Sequence, residues 1–325
     1  MTTLTFSSVD DYLGPAEGRF FGAGYRRSEL DLSGTAARHD GVTGQLSVTY
    51  PQDWSRKKVG VDLRPHLSTV DGLVVAAQLT EALLTLRHGL TPSQRTRMRL
   101  VKVTIQAGTE PDEDLGALPV AAELKRTTAQ DGSAVSVVNC TVGRMRLRCR
   151  VTHPSSPVQE TTSARPVPDV LGDPGRRYWG EGYRSGHQSV LNVTADVTNL
   201  RATADISTTG IAGDVDLGLG GPPDPVTFID EFVSALQAFQ ILLYELDGLS
   251  RSESNTLWMQ QTTLTYDPDS SQDPGGLSVE VVESDLLELP NGTWRNLTFE
   301  AQGGSVRQRS VFAHNLPVNA PALTH

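Results

Sequence analysis

The chain of 325 residues contains little cysteine and lacks the short motifs of several common enzyme classes. Its two cysteines, Cys140 and Cys149, lie in adjacent strand-like segments, so we expect free buried thiols rather than a disulfide framework. There is no Walker A motif, no zinc-type cluster of cysteine and histidine, and no Gly-x-Ser-x-Gly turn. The glycine-rich run at 216–221 lacks the spacing of a dinucleotide site. These absences argue against kinase, redox and serine-hydrolase chemistry, and we expect no metal and no cofactor.

The sequence also lacks a targeting segment and a long apolar run. Its first ten residues have neither the basic nor the apolar region of a signal peptide, and no continuous apolar run approaches about 18 residues. We therefore expect a cytoplasmic protein without membrane contact. The 38% hydrophobic and 20% charged residues are typical of a globular protein, and the length allows two domains of ordinary size.

An excess of positive charge is absent, because the formal net charge is −10. This balance argues against general nucleic-acid binding. The charge is unevenly distributed: residues 1–160 contain 19 basic and 17 acidic side chains, and residues 161–325 contain 9 and 21. The basic clusters of the first half are Arg56–Lys58, Arg95/Arg97/Arg99 and Arg144/Arg146/Arg148/Arg150. They are either solvated faces or a docking surface for an acidic partner or a phosphate-bearing carrier.

One stretch of sequence occurs twice. Residues 11–26 and 169–184 align without a gap and share eight of sixteen residues, three of them glycines. An internal repeat of this length indicates two copies of a domain. We assign the first copy to residues 1–152 and the second to residues 169–325. The proline-, serine- and threonine-rich segment 153–168 is interpreted as a linker.

Both copies have the same order of predicted elements. Alternating polar and apolar residues predict strands, and the segments 73–86 and 231–245 predict long helices that are apolar on nearly all sides and therefore buried. Strands, one buried helix and then three or four antiparallel strands are the element order of the hotdog fold. We predict an α+β, tandem (double) hotdog, in which two curved antiparallel sheets meet edge to edge and each wraps around one helix.

The strongest candidate for chemistry is the pair His66 and Glu81. In hydroxyacyl-carrier dehydratases of this fold, a histidine before the helix faces a carboxylate about four turns along it, and the spacing here is close to that pattern. Histidine transfers protons near neutral pH, and burial raises the pKa of a glutamate, which suits acid–base catalysis. The Phe-Pro-Gly context of the dehydratases is missing. The alternative is that His66 helps to cap the helix and that Glu81 pairs with a basic residue.

Further candidates come from comparing the copies at an offset of 159 residues. Asp71 and Asp230 hold equivalent positions in the first turn of each helix, where a carboxylate either stabilises the helix dipole or binds substrate. Glu81 corresponds to Gln240, so the ionisable pair occurs in the first copy only. The repeated tyrosines and arginines of the opening motif favour a structural role, such as an arginine stacked on an aromatic pair. The candidate catalytic residues are Glu81, His66 and Asp71. The candidate substrate-binding residues are Ser68, Gln78, Asp230, Gln240, Tyr25 and Arg26.

The chain resembles the AvrD avirulence family in its opening motif, Ser8-Val-Asp-Asp-Tyr-Leu-Gly-Pro-Ala-Glu-Gly-Arg-Phe-Phe-Gly-Ala-Gly-Tyr-Arg, and in Pro65-His-Leu-Ser-Thr-Val-Asp71. The resemblance runs over the whole chain. It implies synthesis of syringolide-like signals, in which a β-ketoacyl chain is joined to a ketopentose such as xylulose. The implied reaction is also similar to that of the A-factor synthases, duplicated hotdog proteins that transfer a β-ketoacyl group from a carrier to a small hydroxylated ketone.

We therefore expect an acyltransferase or condensing enzyme that takes a β-ketoacyl thioester, on acyl carrier protein or coenzyme A. The acceptor would be a ketone of the xylulose or dihydroxyacetone phosphate type, and the product a precursor of a butenolide or syringolide-like signal. Glu81 or His66 would deprotonate the acceptor hydroxyl, and backbone amides near Asp71 would stabilise the thioester oxyanion. The alternatives are a hotdog dehydratase or thioesterase, or a non-catalytic acyl-binding protein. A homodimer is also compatible with the sequence.

Overall fold

The computed structural model describes residues 2–54, 64–159, 163–210, 219, 226–255, 257–270, 273 and 275–317. The helices are α1 (Asp10–Leu13), α2 (Thr69–His88), α3 (Pro92–Arg95), α4 (Val167–Leu171), α5 (Tyr183–Ser185) and α6 (Phe228–Asp247). The strands are β1 (Thr3–Ser8), β2 (Glu29–Ala37), β3 (Gly41–Thr49), β4 (Arg99–Gln106), β5 (Leu118–Gln130), β6 (Ser133–Val142), β7 (Met145–Pro154), β8 (His187–Asp196), β9 (Arg201–Thr209), β10 (Leu257–Tyr266), β11 (Gly276–Leu289), β12 (Gly292–Gly303) and β13 (Val306–Asn315).

These strands form one antiparallel sheet rather than two. Among the described residues it has thirteen strands, in the order β1-β8-β9-β11-β12-β13-β10-β4-β7-β6-β5-β3-β2. The predicted edge-to-edge meeting of the copies occurs where β4 pairs with β10 and Thr104 lies opposite Thr263. Continuous backbone hydrogen bonding across that junction joins the halves. We call β2 to β7 the first half and β8 to β13, with β1, the second half.

One long helix packs on each half of the sheet. α2 contacts β2, β3, β5, β6 and β7, and α6 contacts β8, β9, β11, β12 and β13. A large antiparallel sheet curved over long buried helices is consistent with a hotdog-like fold. The predicted helices 73–86 and 231–245 are confirmed, and each extends beyond its predicted bounds at both ends. A side chain caps the start of each helix. Ser68 caps α2 and Thr227 caps α6.

The helix α2 corrects the expectation that no segment is long and apolar enough to cross a membrane. By length and composition it could cross a membrane, but 94% of its most apolar window is buried within the protein. Only Arg87 of its twenty residues is not buried. Its hydrophobicity is therefore that of a core helix covered by strands. The expectation of free thiols is confirmed, since Cys140 and Cys149 are both unpaired and buried.

The two halves exchange their opening segments. β1 pairs with β8 of the second half, and in return Arg165 forms a bridge with Ala37 of the first half. The first copy of the repeated motif packs on α6, where the Tyr12 hydroxyl donates to Glu245 at 2.6 Å. The second copy packs on α2 through α4. The units predicted at 1–152 and 169–325 therefore each contribute a segment to the other half, and the predicted linker 153–168 overlaps both β7 and α4.

Candidate active site

A cavity of about 160 Å³ lies between the start of α2 and the middle of α6. Both halves of the sheet and the first copy of the repeated motif supply its wall, which is mostly apolar and aromatic. The aromatic and apolar lining includes Phe20, Phe21, Trp54, Leu67, Met145, Phe232, Leu236, Leu257, Trp258, Met259 and Phe312. Its polar lining includes Arg19, His66, Ser68, Thr69, Glu110, Asp112, Gln237, Gln240, Tyr244 and Arg251.

His66 and Gln240 both line this cavity, one from each half. The His66 Nδ1 atom lies 3.4 Å from the carbonyl oxygen of Arg64. The side-chain amide of Gln240 has no hydrogen-bond partner among the residues that the structure describes, so it is available to a ligand. The cavity brings them together because it extends from the start of α2, which follows His66, to the middle of α6.

Glu81 lies elsewhere. It is buried in α2, and its Oε1 atom is 3.8 Å from Arg95 Nη1, which also donates to the Leu171 carbonyl at 3.0 Å. Glu81 is twelve residues beyond Thr69, about 18 Å along a helix that rises 1.5 Å per residue. The structure therefore does not bring His66 and Glu81 into one cavity, and Glu81 has the basic partner of the alternative interpretation.

The start of α2 borders the cavity through Ser68 and Thr69. The N–H groups of Thr69 and Val70, the first two of the helix, donate no hydrogen bond in the described part of the chain. The first N–H groups of a helix carry partial positive charge and are not used within the helix. This corner can therefore hydrogen bond to a carbonyl oxygen that gains negative charge.

Asp71 lies behind this corner and not in the cavity. It is fully buried, and its Oδ2 atom accepts hydrogen bonds from the Ser68 hydroxyl at 2.6 Å and the Tyr50 hydroxyl at 2.5 Å. Burial raises the pKa of Asp71 to about 6, although hydrogen bonds from Ser68, Tyr50 and Ser28 and the charge of Arg184 oppose the rise. The contacts of Asp71 hold the helix start in place.

Asp230 has the corresponding position in α6. Its Oδ2 atom accepts from the Thr227 hydroxyl at 2.7 Å, and its Oδ1 atom is 3.8 Å from Arg26 Nη2. The Arg26 guanidinium lies 4.5 Å from the centre of the Tyr25 ring, so the arginine stacks on its neighbouring tyrosine rather than on the aromatic pair Phe20 and Phe21. Burial raises the pKa of Asp230. Tyr25, Arg26 and Asp230 do not line the cavity, and their contacts join the first copy of the motif to the second half.

The remaining candidate from the helix pattern is Gln78, which is buried in α2 and does not line the cavity. Its counterpart Gln237 does line it, and there Arg19 Nη1 donates to Gln237 Oε1 at 2.5 Å. The pattern had marked Arg19 only as a repeated residue. Burial lowers the pKa of Arg19, and Asp10 offsets this with an ion pair. The repeat gave a signal for Arg19, but the exchange that takes it to α6 was not visible in the sequence.

The family model for the Pseudomonas avirulence D protein (AvrD) matches residues 4–317. The chain belongs to the AvrD family. The resemblance seen in the opening motif and around His66 is thereby confirmed over nearly the whole chain. No curated protein matches this AvrD-family chain.

Solved structures that share parts of this AvrD-family fold have low sequence identity. The tesB protein of Mycobacterium avium subsp. paratuberculosis has a TM-score of 0.38 and 10% identity, covering 89% of this chain and 96% of its own. An acyl-ACP thioesterase of Bacteroides thetaiotaomicron has a TM-score of 0.41 and 12% identity, covering 84% and 97%. A MaoC-like dehydratase has a TM-score of 0.33 and 12% identity, covering 76% and 85%. Scores this low do not identify an activity.

Proposed function

We propose that this AvrD-family protein is a double-hotdog enzyme that transfers a β-ketoacyl group from a thioester to a hydroxyl of a sugar-like ketone. The double hotdog is supported by the two halves of the sheet, which each pack on one long helix and meet at a junction related by the repeat. The observation that carries the activity is the cavity itself. It joins an apolar wall, the start of a long helix and a histidine within one cavity.

The wall and the helix start suit the two ends of an acyl thioester. Phe232, Leu236 and Phe312 would surround the acyl chain, since apolar pockets of this kind bind mainly by removing apolar surface from water. The N–H groups of Thr69 and Val70 would stabilise the oxyanion that forms at the thioester carbonyl.

His66 would move the proton. The acceptor oxygen forms a bond to the thioester carbon, the carbon–sulfur bond breaks, and the hydroxyl proton passes through His66 to the leaving thiolate. The products are a β-ketoacyl ester and a free thiol. Gln240 would orient the acceptor through its unpaired amide.

The composition of the cavity favours transfer over dehydration. Dehydration of a 3-hydroxyacyl thioester needs a base and an acid, and the residue at the repeat position of Glu81 that lines the cavity is Gln240, whose amide cannot exchange a proton near neutral pH. The carboxylates at the cavity edge, Glu110 and Asp112, lie 3.8 and 3.7 Å from Arg144.

A basic surface on the exposed face of β7, the strand whose Met145 lines the cavity from its other face, supports an acidic carrier as the source of the thioester. Arg146, Arg148 and Arg150 are exposed on β7. Lys102 of the neighbouring strand β4 lies opposite Arg150, and none of these four residues has an ion pair within the described ranges. Arg144, at the near end, donates to the carbonyl of Pro111 in the cavity wall. We call Lys102, Arg146, Arg148 and Arg150 the β7 basic surface. The positive charge of this surface would attract an acidic acyl carrier protein.

The experiment is mass spectrometry of products formed from a β-ketoacyl thioester with and without xylulose or dihydroxyacetone phosphate. We expect an acyl-ketose adduct that His66→Ala and Gln240→Leu reduce at least about tenfold, while Glu81→Gln, at the equivalent position outside the cavity, retains it. Circular dichroism of each variant controls for folding. Thiol release without an acceptor would instead indicate a thioesterase, and binding of the thioester without turnover would indicate a non-catalytic acyl-binding protein.

A further inference from the structure

The wall of the cavity changes from apolar to polar along α6. Four residues that line the cavity follow one another at a spacing of four positions on this helix: Phe232, Leu236, Gln240 and Tyr244. Residues four apart lie on the same face of a helix, and a rise of 1.5 Å per residue gives this row a length of about 18 Å. The cavity therefore has an apolar end, at the first half of α6, and a polar end, at its second half.

Two arginines line the cavity towards its polar end. Arg19, in the first copy of the repeated motif, is buried and donates from Nη1 to Gln237 Oε1 at 2.5 Å. Arg251 follows α6, is partly buried, and donates from Nη2 to the carbonyl oxygen of Gly18 at 3.2 Å. Because Gly18 directly precedes Arg19 in the chain, this contact brings the two arginines next to each other.

The two guanidinium groups repel each other where little water surrounds them. Burial lowers the pKa of Arg19, the ion pair with Asp10 opposes this shift, and the positive charge of Arg251 adds to it. Burial also lowers the pKa of Arg251. The two carboxylates in the described part of the cavity wall lie at Arg144 instead. An anion bound between Arg19 and Arg251 would remove their repulsion and replace part of the hydration that burial takes away.

The duplicated scaffold forms the turn after the helix without an arginine. Both long helices end at a glycine in the left-handed conformation, Gly89 after α2 and Gly248 after α6. At the offset of 159 residues, the counterpart of Arg251 in the first half is Pro92. Arg251 is therefore specific to the half whose helix lines the cavity with Gln240 and Tyr244, and it can be substituted without removing a shared part of the fold.

The chemistry of this end of the cavity suits a phosphate group. A phosphate monoester carries a charge of about −1.5 to −2 at pH 7 and three acceptor oxygens. Guanidinium groups bind phosphate through two parallel N–H···O bonds, which a planar fork of donors makes possible. Three oxygens can accept from Arg19, from Arg251 and from the side-chain amide of Gln240 at the same time.

We propose that Arg19 and Arg251 form an anion subsite at the polar end of the cavity, and that this subsite binds the phosphate group of a phosphorylated ketone acceptor. This inference rests on the proposed acyl transfer and specifies its acceptor. The acyl chain occupies the apolar end, at Phe232 and Leu236, and the acceptor occupies the polar end, at Gln240. The free, unphosphorylated ketone is then the poorer substrate.

The test compares acceptors on a thioester that has no phosphate of its own. With a β-ketoacyl thioester of N-acetylcysteamine, we expect kcat/KM for dihydroxyacetone phosphate to exceed that for dihydroxyacetone about 10- to 100-fold, the factor typical of hydrogen bonds to charged groups. Xylulose 5-phosphate and xylulose provide a second pair. Arg251→Met should remove the preference, and Arg251→Lys should retain part of it, since lysine keeps the charge without the fork. Arg176→Met, at an exposed position outside the cavity, is the matched control.

The same variants distinguish the acceptor from the donor as the source of the phosphate. The thioester of coenzyme A carries phosphate, whereas that of N-acetylcysteamine does not. If Arg251→Met lowers turnover of the coenzyme A thioester only, and the N-acetylcysteamine thioester reacts equally with both acceptors of a pair, the anion belongs to the donor and the proposed acceptor is wrong.

A second measurement does not depend on turnover. Isothermal titration calorimetry should detect binding of dihydroxyacetone phosphate to the wild type and a loss of affinity of at least about tenfold in Arg251→Met, with circular dichroism as the control for folding. Ester formation without a preference for phosphorylated acceptors, or a preference that Arg251→Met retains, would overturn the subsite and leave the proposed function in place. Binding that depends on Arg251 without formation of any ester would overturn the proposed function and leave the subsite.

Discussion

His66 lies in the same cavity as Gln240, whereas Glu81, the counterpart of Gln240 in the first half, lies against Arg95. The start of α2 and the middle of α6 line one cavity. A single position of the repeat therefore has two different surroundings. In one half it faces a cavity, and in the other it belongs to a buried ion pair.

A carboxylate at position 240 should change the chemistry of the cavity. Gln240→Glu supplies the acid–base partner that His66 lacks, and such partners typically contribute about 10²–10⁴-fold to a rate. We expect this variant to gain measurable dehydration of a 3-hydroxyacyl thioester, followed by absorbance of the enoyl product. Gln78→Glu, at the buried position outside the cavity, is the control. Equal activity in both variants would mean that substrate does not bind between His66 and residue 240.

The pair Glu81 and Arg95 should contribute to stability rather than to turnover. Both side chains are buried, and removing one partner of a buried ion pair typically costs about 3–5 kcal/mol because the other charge is left without compensation. We expect Arg95→Met to lower the free energy of unfolding by about 3 kcal/mol in urea titrations. The double variant Glu81→Met/Arg95→Met should recover most of this loss. A loss below about 1 kcal/mol in the single variant would contradict the prediction.

Asp71 should make the protein less stable as the pH rises. The pKa of Asp71 is about 6 in the folded protein against 3.8 for an ordinary aspartate, so its contribution to stability is full below pH 3.8 and is lost as the pH rises through 6. The difference corresponds to about 3 kcal/mol, since one pKa unit is about 1.36 kcal/mol. We expect the gap in unfolding free energy between wild type and Asp71→Asn to change by about this amount from pH 4 to pH 7. Asp230 and Glu231 titrate in both proteins and cancel. A constant gap would show that Asp71 ionises as it does in the unfolded chain.

Gly303 should tolerate a side chain only when Glu231 is shortened. Gly303→Ala forces the Glu231 carboxyl from its place, and overpacking of this kind costs about 1–3 kcal/mol. In a Glu231→Ala background the same substitution should cost almost nothing. Thermal unfolding of the four proteins of this double-mutant cycle measures the coupling. Equal costs in both backgrounds would place the carboxyl away from Gly303.

The β7 basic surface should contribute to turnover only when the substrate is bound to its carrier protein. Arg146→Glu/Arg148→Glu reverses charge beside the cavity, and we expect kcat/KM to fall about tenfold or more for a thioester on acyl carrier protein, with a reduced salt dependence. The same thioester on pantetheine should react as in the wild type. Charge reversal at Arg307, on the acidic second half, is the matched control. Equal losses for both substrates would indicate damage to the cavity instead of lost docking.

The sequence by itself determined the features that depend on local pattern. The repeat at 11–26 and 169–184 revealed two copies, and the apolar residues on nearly all sides of 73–86 and 231–245 marked α2 and α6 as buried helices. The opening motif also indicated the AvrD family. Such features can be read from the chain because burial, capping and turn formation depend on residues within a few positions of each other.

Only the tertiary structure decided which residues meet. The pairing of β1 with β8 and of β4 with β10 joins segments from different copies, and no periodicity records the identity of a partner strand. For the same reason the sequence pattern indicates Glu81, in the helix that follows His66, as its partner, although α6 contributes Gln240 to the cavity of His66. The buried state of Glu231, Thr262 and Gln308 was also not predicted, because these polar residues become buried only when the helix packs on the sheet. A pattern of burial specifies that a side chain is inside, and packing decides what it contacts there.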